Sequence, residues 1–233
     1  MIKLPDYTDQ VMYDAETIFH LYMKQERLAK FLVHYELFKR ANELPGAIIE
    51  CGVFKGTSLM RFAMLRNLLG TNASSKILAF DVFSDDYPTT DYAEDNEQRQ
   101  FWIDTAGESS ISVDQMTKVM HDRGIGNFDL IAGDVLDTIP NYISENPGLK
   151  ISLLNIDIDF VEPTLCALEN FYDLVVPGGI IIFDNYAGEG DSGKFLHGDT
   201  KGIDDFFQST NAEIRRFPFA ARPCYMIKKW ITF

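Results

Sequence analysis

Short, mostly apolar runs alternate along this chain with longer stretches in which apolar residues recur every three or four positions. The runs fall at residues 47–51, 76–81, 128–132, 151–156 and 180–183. Runs of that length, bounded by glycine, proline or acid, predict strands buried on both faces of a parallel sheet. The clearest unit is 151–186. Its first run ends in Asp157 and Asp159 and its second in Asp184-Asn185. Between them a helix is predicted to start at Pro163, to carry Leu165, Leu168, Phe171 and Tyr172, and to stop at Pro177-Gly178-Gly179. Strand, helix, strand in this order is a parallel βαβ unit.

The same alternation continues outside that unit. The segment 47–51 leads through Gly52-Val53-Phe54-Lys55-Gly56-Thr57 into a helix with Leu59, Phe62, Ala63 and Leu65 on its core face. Thr57 or Ser58 is the expected cap and Gly70 the expected C-cap. Helices are also expected at 111–123 and from Asp137 to about 146. Residues 8–43 show helical spacing throughout and predict a cap beside the sheet. From 187 to 202 five glycines surround Lys194, His197 and Lys201, the composition of a loop able to gate a site. The segments 213–219 and 224–230 predict an antiparallel edge pair. The fold expected is α/β, a mostly parallel, doubly wound, Rossmann-like sheet. A helical cap (1–44) precedes the main domain (45–233), and no internal repeat is present.

Composition narrows the function. The chain has 233 residues, 46% hydrophobic, enough for one large α/β domain. Its formal net charge of −14 repels phosphate backbones and anionic lipid, which argues against nucleic-acid and membrane partners. Nine acids against Arg99 lie in an insertion at about 84–114, expected mainly as a solvated acidic loop with a short helix and, functionally, as a lid over the ligand side. No apolar run approaches the roughly 20 residues of a membrane span. The N-terminal sequence has no signal-peptide pattern, so a cytoplasmic protein is expected. Cys51, Cys166 and Cys224 lack metal or disulfide spacing and are expected to be reduced.

Candidate chemistry gathers at the strand ends. Parallel strands bring Asp157, Asp184 and Asn185 to one sheet edge, where open α/β sheets bind ligands. Three hard oxygen donors there suit Mg²⁺. The turn Glu50-Cys51-Gly52-Val53-Phe54-Lys55-Gly56-Thr57 offers close backbone approach and free helix N–H groups to a ligand. GxGxxG and the P-loop signature are both absent, which counts against a nicotinamide or flavin enzyme and against an NTPase. Asp81, one strand–helix–strand step later, is placed to accept the hydroxyls of a ribose. His197 on the glycine loop is a candidate base.

These motifs together resemble class I S-adenosylmethionine (SAM) methyltransferases, and within them the macrocin O-methyltransferase family, which methylates sugar hydroxyls. The resemblance rests on PGAIIECGVFKG at 45–56, GDVLDTIP at 133–140, DIDFVEPT at 157–164, DNY at 184–186 and GIDDF at 202–206. It implies SAM beside the first glycine turn, with Glu50 and Gly52 near its methionine part, Asp81 on the ribose, and Gly133-Asp134 by the adenine. It also implies a metal held by Asp157, Asp184 and Asn185, with Asp157 serving as base as well. The family usually has two aspartates where this chain has Asp184-Asn185. Catechol O-methyltransferase shares Asp-Asn but carries a lysine where this chain has Phe160. The activity expected is Mg²⁺-dependent O-methylation of a small sugar or glycoside. The alternatives are a catechol-like aromatic acceptor or a catalytically silent binding protein. The N-terminal helices and the terminal strands each offer a face for a homo-oligomer.

Overall fold

The computed structural model describes residues 1–6, 8–86, 88, 90–190, 193–210 and 212–229. Strands β1 (Ala47–Cys51), β2 (Ile77–Asp81), β3 (Phe128–Ala132), β4 (Ile151–Ile156), β5 (Val175–Phe183) and β6 (Cys224–Ile227) form one sheet in the order β3-β2-β1-β4-β5-β6. All neighbours are parallel except β5 and β6. The chain runs outward from β1 to β3 and then crosses back to lay β4 beside β1. That reversal is the switch point at which open α/β sheets leave a crevice at their C-terminal edge.

The strands lack a polar alternation because helices cover both faces. Successive residues feed two cores. Ile48, Leu153, Ile180 and Ile182 pack with Val33, Leu37 and Phe38 of α2 (Gln25–Ala41), Phe62 of α3 (Thr57–Leu69) and Met116 of α5 (Val113–Asp122). Ile49, Leu154, Ile181 and Phe183 pack with Ile139 of α6 (Val135–Glu145), Leu168 and Phe171 of α7 (Val161–Phe171), and Ile203 and Phe207 of α8 (Gly198–Phe207). No helix among the described residues is long and apolar enough to cross a membrane. The three cysteines are free thiols.

Several boundaries differ from the sequence expectation. The N-terminal segment is two helices, α1 (Asp9–Tyr22) and α2, broken at Met23 and Lys24. α1 buries no residue, while α2 buries Val33, His34, Leu37, Phe38 and Ala41 in its second half. The N-cap of α3 is Gly56, at φ +81°, not Thr57 or Ser58. Thr57 is the first helical residue and Ser58 turns inward. Gly70 does close α3. Pro177-Gly178-Gly179 lies inside β5 rather than before it. Gly178 donates to the Lys228 carbonyl at 2.8 Å, and the Gly179 carbonyl accepts from Lys228 N at 2.9 Å, so the glycines remain in register with the edge strand. The terminal antiparallel pair is β6 on β5. The 213–219 segment joins only through an isolated Arg215–Tyr225 bridge, and the predicted strand end at Trp230 lies outside the described residues. Much of the acidic insertion is the helix α4 (Ala93–Ala106).

Candidate active site

The turn after β1 is seated directly on the chain leaving β4. Gly52 adopts φ +90°, and a Cβ there would lie 1.9 Å from the Asp157 carbonyl oxygen. Asp157 N also donates to the Cys51 carbonyl at 2.8 Å. Asp81 at the end of β2 clamps the turn from the other side. Its Oδ2 accepts from Val53 N at 2.5 Å and Phe54 N at 3.0 Å, and its Oδ1 from Phe83 N at 3.0 Å. Phe54 and Phe83 hold φ of +52° and +51°, a backbone conformation that costs energy in non-glycine residues and persists at ligand clamps. Each carboxylate oxygen retains accepting capacity for a ribose hydroxyl.

The other expected nucleoside contacts divide into two groups. Gly133 N donates to the Asp81 carbonyl at 3.0 Å, and exposed Asp134 caps α6 by accepting from Leu136 N at 2.9 Å. Gly133 thereby lies directly beside Asp81 at the strand ends. Cys51 and Glu50, by contrast, are fully buried. Glu50 lies under the turn, where it accepts from Asn155 Nδ2 at 3.2 Å and from Ser58, and burial pushes its carboxyl up to about 8. Its side chain supports the turn from below, and its Oε2 is buried without a hydrogen-bond partner. Gly56 is likewise a packing glycine, since a Cβ on it would meet Met116 Sδ at 2.8 Å.

Beyond β4 and β5 the acids converge as the βαβ reading requires. Lys30 Nζ of α2 lies 3.1 Å from Asp157 Oδ2 and 2.7 Å from Asp184 Oδ2. The two carboxylates are within hydrogen-bonding reach of each other. Burial and the charge of Asp184 push Asp157 up to about 6. Burial acts the same way on Asp184, but the Lys30 ammonium, with Arg222 behind it, outweighs burial and holds that carboxyl low. Asn185 faces elsewhere. Its Oδ1 accepts from Arg222 Nη1, and its Nδ2 donates to Asp159 Oδ1 at 2.9 Å. Asp159 sits past the end of β4, so strand alternation no longer directs it away from the cluster. Burial, followed by Asp157 and Asp184, pushes it up to about 7. Asp199 of α8, fully buried, accepts from Asn185 N at 3.3 Å, and its other oxygen has no partner.

His34 lines the cluster floor. Arg61 Nη1 lies 3.1 Å from His34 Nδ1. A guanidinium can only donate, so Nδ1 accepts and the ring proton sits on Nε2, 4.0 Å from Asp184 Oδ1. Burial and the nearby Lys30 and Arg61 charges keep this ring neutral.

His197 is held by the acidic insertion. Its Nδ1 lies 2.7 Å from Asp95 Oδ1, and Asp95 Oδ2 accepts from Val161 N at 3.0 Å at the start of α7. Asp95 is fully buried, so this acid is not part of a solvated loop. The predicted glycine gate is also partly packed. A Cβ on Gly198 would sit 1.9 Å from the Asp159 carbonyl, and Glu189 bridges to Phe195.

Sequence reading missed Lys30, His34, Asp95, Asp199 and Arg222 as neighbours of this site. Lys30 reads locally as one more solvated helix position. Asp159, by contrast, carried a signal, its place two residues beyond Asp157.

Asp157 and Asp184 offer hard oxygens, already gathered around a positive group. Asp184 Oδ1 and Asp199 Oδ1 are buried without hydrogen-bond partners. Four aspartates face Lys30 and Arg222, and three of the four carboxyls are pushed up, first by burial and then by the surrounding negative charge. The two carboxylates therefore fit a divalent cation, whereas Asn185 gives its oxygen to Arg222. Among the described residues no three His, Cys, Asp or Glu side chains stand together in metal-holding geometry.

A mostly parallel sheet reversing at β1 and β4, a glycine turn clamped by the next strand's aspartate, and acids at the ends of β4 and β5 define a class I SAM-dependent methyltransferase. The family can be stated more closely. The chain belongs to the macrocin O-methyltransferase (TylF) family, whose model matches residues 10–200.

A curated relative is the 8-demethyl-8-(2,3-dimethoxy-alpha-L-rhamnosyl)-tetracenomycin-C 4'-O-methyltransferase of Streptomyces olivaceus. It is 26% identical over 152 residues, 63% of this chain and 55% of that protein. The match therefore spans little more than half the relative's length. Among solved structures, the calicheamicin methyltransferase CalS11 superposes with a TM-score of 0.71 at 24% identity, covering 97% of this chain and 87% of that one. The O-methyltransferase NovP gives 0.66 at 17% identity, covering 87% and 80%. At these identities the likeness establishes a common fold.

Proposed function

We propose that the protein transfers the methyl group of SAM to a hydroxyl of a sugar or glycosylated small molecule, with Mg²⁺ held by Asp157 and Asp184. The observation that carries this reading is the seating of the glycine turn on Asp157. It puts the crevice expected to hold the methyl donor next to the acid cluster, with no secondary-structure element between them. The family membership and the tetracenomycin sugar O-methyltransferase relative support a sugar acceptor.

The residues divide the work as follows. Asp81, Gly133 and Asp134 line the nucleoside side, while Gly52, Gly56 and buried Glu50 fix the turn. Cys51 packs beneath it, and Thr57 opens the helix whose N-terminus faces the crevice. SAM supplies a methyl group on sulfonium sulfur, and transfer to oxygen in line with that bond is largely a matter of positioning. Mg²⁺ at Asp157 and Asp184 would make a sugar hydroxyl more acidic and fix its direction.

Asp159 takes the hydroxyl proton as general base. Asp157, the base suggested by the resemblance, is engaged by Lys30 and Asp184. Asp159 is held only through one oxygen by the neutral Asn185 amide. His197 anchors α4 through Asp95 and acts as a positioning residue. A groove of about 730 Å³ opens beside Arg222, lined by Lys24, Arg27, Glu189 and Phe219, and provides room for the acceptor. Half-exposed Phe219 gives it an apolar wall suited to a sugar face or aglycone.

The test is a panel of acceptors incubated with SAM: nucleotide sugars, rhamnosyl glycosides and catechols, each with and without EDTA. Methylation of a sugar hydroxyl, suppressed by EDTA, is the expected outcome. Transfer confined to catechols would contradict the sugar reading. Sugar transfer indifferent to EDTA would contradict the metal.

A further inference from the structure

Lys30 stands outside the expected site machinery and yet carries its closest charge contact. It belongs to α2, 127 residues from Asp157 and 154 from Asp184 in sequence. Its ammonium donates to one oxygen of each carboxylate, and its side chain is only 18% exposed. Burying a lysine so deeply is unfavourable unless its charge is matched, and here two carboxylates match it. Lys30 also marks the point where α2 changes character. Residues 25–28 are exposed, Ala29 is buried, and from Val33 onward the helix is core. The ion pair thus ties the N-terminal half of α2 to the strand ends.

The same two oxygens are the donors assigned above to Mg²⁺. A divalent ion bound through them would draw on the lone pairs that now receive the Lys30 protons. It would also stand close to an ammonium of like sign in a partly buried site, where charges are weakly screened. We propose that Lys30 is a built-in counter-cation that competes with the divalent metal for Asp157 and Asp184. In the metal-free protein the ammonium neutralises the pair and ties α2 to β4 and β5. Metal binding displaces it, so metal affinity is set partly by the release of this lysine. The inference rests on the metal reading of the preceding subsection.

The test is Mn²⁺ binding to the full-length protein, followed by electron paramagnetic resonance of the free ion, with no turnover needed. Wild type is compared with Lys30→Met and Lys30→Gln, which remove the charge, and with Lys30→Arg, which keeps it. Circular dichroism checks that each is folded. Competition predicts that both neutral variants bind Mn²⁺ about tenfold more tightly or better, while Lys30→Arg stays within about threefold of wild type. Equal or weaker binding by the neutral variants, with wild type binding normally, overturns the competition and leaves the metal reading standing. Absence of Mn²⁺ binding in every folded variant overturns both. Should the neutral variants fail to fold, Lys30→Arg and wild type are compared for displacement directly. Cross-linking of Lys30 to the strand-end carboxylates by a carbodiimide must then fall as Mn²⁺ saturates, and cross-linking indifferent to Mn²⁺ overturns the proposal.

Discussion

Gly52 and Asp157 are in backbone contact: any side chain at Gly52 would begin 1.9 Å from the Asp157 carbonyl oxygen. One residue is central to the glycine turn after β1 and the other opens the acid cluster after β4. Their contact makes the donor crevice and the acid cluster a single construction.

Gly52→Ala therefore disturbs both. The left-handed backbone alone costs about 1–3 kcal/mol for a residue with a Cβ, and the obstacle is backbone, which cannot rotate away. Urea denaturation is expected to show a loss of at least about 2 kcal/mol, with weakened SAM binding by calorimetry. Gly56→Ala meets the flexible end of Met116 and should cost less. Equal losses at the two positions would contradict this account of the turn.

The buried Glu50 makes a pH prediction. Burial pushes its folded carboxyl up to about 8, against 4.5 for an ordinary glutamate. Between those values the folded state keeps a proton that the unfolded chain has lost. Stability contributed by this group therefore falls as pH rises from about 4.5 to about 8, by at most about 1.4 kcal/mol per pH unit. Glu50→Gln should flatten this part of a stability-versus-pH curve measured by denaturant unfolding. A slope unchanged by the substitution would assign the pH dependence to other groups.

The strand core was legible in the sequence, and much of the site was not. Five mostly apolar runs announced β1 to β5, because strands covered on both faces have no polar alternation to hide them. Asp157 and Asp184 followed from the parallel βαβ rule alone. Edges were harder. Pro177-Gly178-Gly179 looks like a stop, yet it lies in β5, where the edge strand still pairs with both glycines. The 213–219 segment has strand composition but finds no continuous partner. The missed site residues share one property: their partners are far away in sequence. Lys30, Asp95 and Arg222 come from three separate elements, and nothing local marks an exposed-looking lysine as the neighbour of Asp157.

Asp95 and His197 give a prediction that separates anchoring from catalysis. His197→Ala leaves a buried carboxylate without its imidazole partner. The expected cost is about 1–3 kcal/mol of stability, with a kcat loss of less than about tenfold, since the residue acts through the placement of α4. A kcat loss as deep as that of the base variant described next, with stability unchanged, would make His197 the base.

For Asp159→Asn the expected pattern is reversed. Removal of a general base lowers kcat by about 10²–10⁴-fold, while SAM affinity by calorimetry stays within a few-fold of wild type. Asp157→Asn should instead weaken Mn²⁺ binding along with kcat. If Asp159→Asn retains wild-type kcat, the proton goes elsewhere.

The most direct measurement of the central claim follows the methyl group itself. The protein is incubated with SAM carrying a ¹³C-methyl group, a rhamnosyl or nucleotide-sugar acceptor and Mg²⁺, and the product is examined by two-dimensional NMR. The account predicts one new methoxy signal correlated to a sugar ring carbon, lost in Asp159→Asn. A labelled methyl on nitrogen, on carbon or on an aromatic oxygen, or one formed equally by the variant, would contradict it.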